Sequence, residues 1–279
     1  MTYLDEYKQK LIKLENFHDF SIDVSNSCSG QKNIPWKLVR SNHLFIRMTV
    51  TCQSFIRLLP FNRIFPAEYE FWDLFSVCSL ARNFVETYLL FWYIGVDKIS
   101  VEESKLRLDI LHYHLNSEKY KFYKEFGLGA DTLDEFELQL PIRKEEIRTN
   151  PLFNSLVIDK NKRKSILSGS VAKYLSNDEI IESVSFKADE FKPLYRWYSN
   201  HTHSMPFATF SHDSERGTGR PNRAEIEYIS TALDFVTKYL LIAIVDTIGL
   251  FPLCEESLNK HKLKIIREEF LVYSQNLPS

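Results

Sequence analysis

One short segment near residue 200 brings together side chains that could do chemistry. From Tyr195 to His203 the chain reads Tyr-Arg-Trp-Tyr-Ser-Asn-His-Thr-His. A helix turns by about 100° per residue, so Tyr195, Ser199 and His203 share one face, with Arg196 and Asn200 beside it. An imidazole can remove a proton from a ribose 2′-hydroxyl, and a guanidinium can hold phosphate oxygens. The segment therefore predicts RNA cleavage without a metal.

The same helical projection separates the two histidines of the segment. His201 falls among the apolar residues, whereas His203 shares its face with polar groups. We therefore predict His203 as the general base and His201 as a packing residue. Arg196 is the predicted phosphate ligand, with Ser199 and Asn200 as positioning groups. The alternative is a solvated polar face, or a satisfied buried network, without a catalytic role.

A second polar stripe lies on the most apolar predicted helix, Ala67–Gly95. Arg82 and Glu86 are four residues apart and can form an ion pair. Buried charges need partners, so we expect this stripe to face the Tyr195–His203 segment, with Arg82, Glu86 and Tyr195 as supporting groups. A purely structural ion pair is the alternative. The stripe consists of Ser79, Arg82, Asn83 and Glu86.

A loop that is rich in arginine and glycine follows the histidine segment. It contains Arg216, Arg220 and Arg223 and leads into a predicted helix N-terminus, where Asn222 and Glu225 are spaced like a capping box. These arginines are candidates for contact with nucleic acid, because flexible cations near a helix N-terminus can bind phosphate. The alternative is an ordinary exposed loop.

The histidines also allow a metal-site interpretation, in which His201, His203 and the pair His212-Asp213 form a hydrolase ligand set. Their spacing is shorter than the HD phosphohydrolase pattern, and the helical projection separates His201 from His203. No GxGxxG, P-loop or GxSxG motif occurs in the chain. We therefore expect neither a metal nor a cofactor.

Two segments of the chain, SLARNFVETYLLFWYI and LYRWYSNHTHSMP, resemble a bacterial helical family of unknown function. That family combines an Arg-x-x-x-Glu helix with a later Tyr-x-x-x-Ser-x-x-x-His helix. The matching positions are Arg82, Glu86, Tyr195, Ser199 and His203. The resemblance covers roughly residues 65 to 250.

The same segment is similar to HEPN domains, which carry an Arg followed by four to six residues and a His. Both Arg196–His201 and Arg196–His203 fit that spacing, although Trp197 stands where those motifs favour a polar residue. The resemblance implies an all-helical bundle, a ribonuclease of a toxin or phage-defence system, and a homodimer that brings two sets of these residues together.

Composition supports a helical fold. The chain has 279 residues, 44% of them hydrophobic, and only 8 Gly and 10 Pro, whereas sheet proteins use many of both in turns. We expect an all-α multi-helix bundle, HEPN-like with extra helices, in one domain over 1–279. Residues 65–250 would form the core that carries the resemblance, and 1–64 and 251–279 would add accessory helices.

Several local expectations follow from the sequence pattern. We predict a first helix over Leu4–Phe20 and a loop from Ser21 to Asn33, a helix over Asp131–Ile147 interrupted at Pro141, and a short helix from Pro193 to Ser204. The stretch Thr149–Ser176 is the least regular part of the chain.

Charge and cysteine content limit the location and the partners. The net charge of -2 excludes a basic field over the whole protein, so RNA contact requires a local patch. The four cysteines lack a CxxC pair, which is typical of a reducing compartment, and we expect a cytoplasmic protein. Two apolar stretches, Phe71–Ile94 and Tyr228–Leu253, carry central charges, so we interpret them as buried helices without membrane contact.

Two hypotheses about function remain after these considerations. The first is a HEPN-like, metal-independent endoribonuclease that acts on RNA. The second is a non-catalytic helical module that binds a partner protein or a nucleotide, since the many aromatic residues suit either an interface or a dense core.

Overall fold

The computed structural model describes residues 2–31, 34–184, 190–210 and 216–275. Within these ranges the chain forms helices and no strand, which confirms the predicted all-α multi-helix bundle. A π-helical turn spans Trp92–Val96, and a 3₁₀ turn spans Pro252–Ser257. The helices are α1 (Tyr3–Ser27), α2 (Trp36–Leu58), α3 (Leu74–Phe91), α4 (Val101–Phe126), α5 (Ala130–Thr149), α6 (Pro151–Leu156), α7 (Lys160–Leu167), α8 (Asn177–Ser183), α9 (Phe191–Thr202), α10 (Pro206–Phe210), α11 (Arg223–Leu250) and α12 (Lys260–Gln275).

The helices fall into two compact units. The first unit comprises residues Met1–Val96 with Ile180–Ser279, and the second comprises Asp97–Glu179. The first unit therefore joins the two ends of the chain and contains α1, α2, α3 and α9 to α12, whereas the second contains α4 to α7. The single domain expected from the sequence stays a prediction.

The core of the first unit is built around α3 and α11. Helix α3 packs against α2, α9 and α11, and α11 also packs against α1. Apolar residues surround α3 on most sides, and Phe84, Val85 and Leu89 are fully buried there. Each side chain of this size adds about 1.5–3 kcal/mol when it leaves water, so the burial of these three stabilises the packing of α3 in the core.

In the described part of the chain, none of the helices combines the length and the apolar character that crossing a membrane requires. This agrees with the interpretation of the two apolar stretches as buried helices. All four cysteines are buried free thiols.

Helix α1 is longer than the sequence pattern predicts. The predicted loop from Ser21 is wrong as far as Ser27, because the helix continues to that residue. Phe20, Val24 and Cys28 are buried at helical spacing, and the Ser21 hydroxyl donates to the His18 carbonyl at 2.7 Å. A serine that bonds back to the preceding turn is compatible with a helix that packing holds in place.

The predicted interruption at Pro141 is also wrong, since α5 runs through it from Ala130 to Thr149. A proline inside a helix removes one backbone hydrogen bond, here to the carbonyl of Glu137. Both residues are exposed, so water can reach that carbonyl. The stretch expected to be irregular contains the short helices α6 and α7, which the side chains of Asn150 and Asp159 cap.

A carboxyl group lies in the interface between α3 and α11. The Tyr88 hydroxyl, fully buried on α3, donates to Asp246 Oδ2 at 3.1 Å. Burial raises the pKa of Asp246 to about 7, since low polarity disfavours the charged form. An unfolded Asp ionises near pH 4, so the folded protein holds an extra proton between about pH 4 and 7. Ionising Asp246 therefore destabilises the fold as pH rises through that window.

Replacing this carboxyl group by an amide should remove its contribution to pH dependence. We compare the unfolding free energy of Asp246→Asn with that of the wild type at pH 5 and at pH 8. The difference should shift in favour of the variant by roughly 1–3 kcal/mol from pH 5 to pH 8, because only the wild type must ionise Asp246. Urea denaturation at both pH values measures the difference. The control Asp134→Asn alters an exposed carboxylate on α5 and should show no such gain. If the difference in unfolding free energy between Asp246→Asn and the wild type were the same at both pH values, the prediction would be wrong.

Candidate functional site

Helices α3 and α9 lie antiparallel and bring their polar residues together. Near one end, the ring centroids of Phe75 and His201 are 5.3 Å apart, and further along, Tyr195 contacts Glu86. The apolar side of α9 faces the bundle with Phe191, Tyr198 and His201 buried. The opposite side of α9 therefore lies at the edge of the contact, where the polar stripe of α3 meets it.

Arg82 is at the centre of this contact. Its Nη1 is 2.7 Å from His203 Nε2, and its Nη2 donates to Glu86 Oε1 at 3.1 Å and to the Tyr195 hydroxyl at 3.4 Å. The Tyr195 hydroxyl donates to the same Glu86 oxygen. The guanidinium also lies 5.3 Å from the centroid of the Tyr195 ring, in cation–π contact. We call these four residues, Arg82, Glu86, Tyr195 and His203, the Arg82 cluster.

The hydrogen bond between Arg82 and His203 determines the state of the imidazole. An arginine side chain is always protonated and can only donate, so Nε2 of His203 must accept. The ring is then neutral and carries its proton on Nδ1. His203 is exposed, whereas only 18% of the Arg82 side chain is exposed. The cluster thus presents a neutral imidazole at the surface above a mostly buried cation.

Tyr195 connects the cluster to the carboxylate of Glu86. Burial raises the pKa of Tyr195, and the hydrogen bond to Glu86 raises it further, while Arg82 acts in the opposite direction. The hydroxyl therefore stays protonated near neutral pH and acts as a donor. Tyr195 and Glu86 together hold the edge of the Arg82 guanidinium that does not face His203.

His201 occupies the packing position that the helical projection predicts. It is buried, and its Nδ1 donates to the Trp197 carbonyl at 2.9 Å. Its ring contacts Phe75 and lies 4.2 Å, centroid to centroid, from Trp197. His201 thus belongs to the hydrophobic contact between α3 and α9, and His203 is the histidine that reaches the surface.

The other predicted site residues of α9 lie outside the cluster. Arg196 is exposed, and the Asn200 side chain donates to the Arg196 carbonyl at 2.8 Å. The Ser199 carbonyl accepts from the His203 amide at 3.2 Å, so His203 forms the C-cap of α9. Among the described residues, the side chains of Arg196, Ser199 and Asn200 make no hydrogen bond to the Arg82 cluster.

The three loop arginines have different surroundings. Arg216 is mostly buried, 3.5 Å from the buried carboxylate of Glu225 and 4.8 Å from the Tyr228 ring. Arg223 pairs with Glu227 at 2.9 Å and is exposed, as is Arg220. Residues 211–215, with the pair His212-Asp213 of the metal-site interpretation, lie outside the described residues.

The start of α11 only partly follows the expected capping box. The Asn222 side chain accepts from the Glu225 amide at 2.9 Å, which caps the helix as predicted. The Glu225 carboxylate instead accepts from the Gly217 amide at 3.0 Å and pairs with Arg216. Glu225 therefore anchors the arginine loop to α11, a role that a capping pattern does not indicate.

The second unit contains a charged network that the sequence analysis missed. Arg107 is buried on α4 and pairs with Asp97 at 2.7 Å and with Glu103 at 2.8 Å, while its Nε donates to the Tyr174 hydroxyl at 3.0 Å. The spacing of Glu103 and Arg107 is the one sequence signal of this network. Both carboxylates of the network are bound by Arg107 within the unit, which is typical of a structural role.

The comparisons with known proteins give a family but no characterised relative. No curated protein and no solved structure matches the chain. A model of a family of unknown function (DUF5677) matches residues 40–219. The matched range includes α3, α9 and all four residues of the Arg82 cluster, and it excludes α1 and α11. Because the match covers more than half of its length, the chain belongs to this family of unknown function.

Proposed function

We propose that the chain is an endoribonuclease that cleaves RNA without a metal, with His203 as the general base. The observation that supports this proposal is the 2.7 Å contact between Arg82 Nη1 and His203 Nε2. It pairs a neutral imidazole with a cation, and these are the two groups that proton removal beside a phosphodiester needs. The likeness to HEPN domains, which often act as ribonucleases in toxin and phage-defence systems, supports the same reaction.

The proposed reaction uses the 2′-hydroxyl of the RNA as the nucleophile. His203 Nε2 takes the hydroxyl proton as the 2′-oxygen forms a bond to phosphorus. The bond from phosphorus to the 5′-oxygen breaks, and the proton passes from His203 to that oxygen. The products are a 2′,3′-cyclic phosphate and a 5′-hydroxyl. Acid–base catalysis of this kind contributes typically 10²- to 10⁴-fold to a rate.

Arg82 has a direct part in this proposal. In the free protein its Nη1 occupies the lone pair of His203 Nε2, so the base is blocked. A phosphodiester carries a full negative charge and competes with the neutral imidazole for the guanidinium. When Arg82 turns toward phosphate, Nε2 becomes free to accept a proton. Glu86 and Tyr195 hold the other edge of the guanidinium during this exchange.

The remaining predicted site residues act around the Arg82 cluster rather than in it. The exposed Arg196 binds a neighbouring phosphate, and Ser199 and Asn200 position the end of α9. Of the loop arginines, Arg220 and Arg223 are exposed and suit contact with RNA. Arg216 suits it less well, because its mostly buried side chain pairs with Glu225. The HEPN likeness supports a homodimer that brings two sets of these residues together.

A non-catalytic binding module is the second candidate function. The observation that favours it lies in the second unit, where α5 exposes large apolar side chains. Leu138 is 65% exposed, and Ile142, four residues further along the same face of α5, is 48% exposed. Clustered apolar residues on a surface are typical of sites that bind a partner protein.

The first test removes the proposed base. Wild type and His203→Ala are incubated with mixed RNA in EDTA after circular dichroism has shown equal folding. We expect the wild type to cleave and His203→Ala to lose at least about 100-fold in rate, since the base is gone. Cleaved ends should carry a 2′,3′-cyclic phosphate.

The matched control for this test is His261→Ala, which removes an exposed histidine on α12. It should cleave at the wild-type rate. Equal cleavage by His203→Ala and the wild type would refute the proposed role of His203. If the wild type does not cleave RNA at all, the binding module becomes the better proposal.

A second test examines the planar guanidinium of Arg82, whose two terminal nitrogens contact different partners. Arg82→Lys keeps the positive charge but loses the planar geometry that joins His203 to Glu86 and Tyr195. We expect its cleavage rate to fall by roughly 10- to 100-fold, with a smaller loss for Tyr195→Phe, which keeps the guanidinium. Rates are measured on one RNA oligonucleotide. A wild-type rate for Arg82→Lys would mean that charge alone suffices.

A third test examines the imidazole itself in the free protein. Long-range ¹H–¹⁵N spectra should show His203 as the neutral Nδ1–H tautomer, because Nε2 accepts from Arg82. In Arg82→Gln this tautomer preference should weaken, while the buried His201 keeps its spectrum. A His203 ring that shows the same tautomer mixture in both proteins would contradict the described contact.

A further inference from the structure

Two phenylalanine rings project into solvent immediately after the Arg82 cluster. Phe207 is 57% exposed and Phe210 is 80% exposed, both on the short helix α10. They are three residues apart on a helix, so their side chains are neighbours on one side of it, with Cβ atoms about 5–6 Å apart. Ala208, on another side of α10, is fully buried. Burial of Ala208 thus turns the two rings outward as a pair.

The backbone holds this pair in a defined position. Ser204 has a positive φ of 47°, which turns the chain sharply between α9 and α10. The Met205 amide donates to the Asn200 carbonyl at 3.0 Å, and the Thr209 hydroxyl donates to the Ser204 carbonyl at 3.1 Å. The rings are therefore exposed by a hydrogen-bonded turn, a conformation with little entropy left to lose on binding.

The pair also lies close to the proposed base. Phe207 follows His203 by four residues, so their Cα atoms are at most about 14 Å apart even for an extended chain. A strand whose phosphate contacts His203 and Arg82 extends over several nucleotides, so its neighbouring bases are within reach of rings this close to His203. Phe207 and Phe210 thus follow the Arg82 cluster directly along the chain.

Charge around the pair favours a polyanion over a protein of mixed charge. Residues 191–210 contain no Asp or Glu, although the whole chain has a net charge of -2. Lys192 at the start of this stretch pairs with Glu182 at 3.5 Å, whereas Arg196 is exposed on the same helix as His203. The carboxylate of the cluster, Glu86, is held by Arg82 and Tyr195. An exposed guanidinium near two exposed rings matches single-stranded nucleic acid, which combines phosphates with unpaired bases.

We propose that Phe207 and Phe210 form a stacking platform for unpaired bases next to the phosphate at the Arg82 cluster, so that the substrate is single-stranded RNA. This inference rests on the proposed ribonuclease function, whose site it extends. Bases in a duplex stack on each other and offer no free face, whereas an unpaired base can stack on an aromatic ring. The platform therefore selects single strands without reading their sequence.

The test measures binding rather than cleavage. The probe is a fluorescent RNA oligonucleotide with 2′-O-methyl riboses, which lacks the attacking hydroxyl, used as a single strand and as a duplex. We expect the wild type to bind the single strand at least about tenfold more tightly than the duplex. The double variant Phe207→Ala/Phe210→Ala should lose about tenfold or more for the single strand, with little change for the duplex.

The matched control is Phe122→Ala/Phe126→Ala, which removes two exposed rings of α4 that lie four residues apart. It should bind both probes like the wild type. The platform is overturned if the Phe207/Phe210 variant keeps its single-strand affinity, if both double variants lose it equally, or if the wild type binds neither probe. In the last case, a protein partner for the two rings is the better explanation.

The outcomes separate this inference from the proposed function. Binding to the uncleavable probe does not require His203 as a base, so the platform can be correct when His203→Ala leaves cleavage unchanged. Conversely, loss of cleavage in His203→Ala together with unchanged binding by the Phe207/Phe210 variant would keep the ribonuclease proposal and remove the platform. Circular dichroism of each variant confirms that the helices are intact.

Discussion

The contact between α9 and α3 depends on the need to pair one cation, Arg82, on a helix that is largely buried. Helix α3 is surrounded by apolar neighbours, and Arg82 is the charge on its polar stripe that faces α9. A guanidinium that is mostly withdrawn from water must receive hydrogen-bond acceptors from the protein. Glu86 supplies one from the same helix, and Tyr195 and His203 supply the others from α9. The polar contacts between α9 and α3 are therefore also the contacts that define the candidate site.

Much of this arrangement could be predicted from the sequence. Helical periodicity separates His201 from His203, and the rule that buried charges have partners leads from the Arg82–Glu86 stripe to the face of Tyr195 and His203. Both inferences need only the positions of residues around one helix. The all-α class follows in the same way from composition and periodicity.

The closest partner of His203 could not be predicted from the sequence. A helical projection suggests Arg196 as the partner, because it shares a helix with His203. The guanidinium that contacts His203 in the structure belongs to Arg82 instead. The distance between residues on different helices depends on how far one helix is shifted along the other. Side-chain packing, such as that of Phe75 on His201, sets this shift, and no short sequence pattern contains it.

Helix boundaries were missed for a related reason. Ser, Asn and Pro favour turns when they stand alone, so the segment after Phe20 and the neighbourhood of Pro141 suggest breaks. In α1, burial of Val24 and Cys28 outweighs these local preferences. In α5, exposure of Pro141 lets water replace the lost hydrogen bond. The turn preference of a single residue determines a helix end only where packing and solvent exposure do not favour continuing the helix.

The order of the helices has a consequence for a fragment limited to the matched residues. The family match ends before α11 and begins after α1, yet α11 packs on α2 and α3, and α1 packs on α11. The matched region thus lacks two helices that complete the first unit of this chain. A protein cut to residues 40–219 would expose the apolar faces of α2 and α3 that α11 covers. Such a fragment would need a second polypeptide to cover those faces.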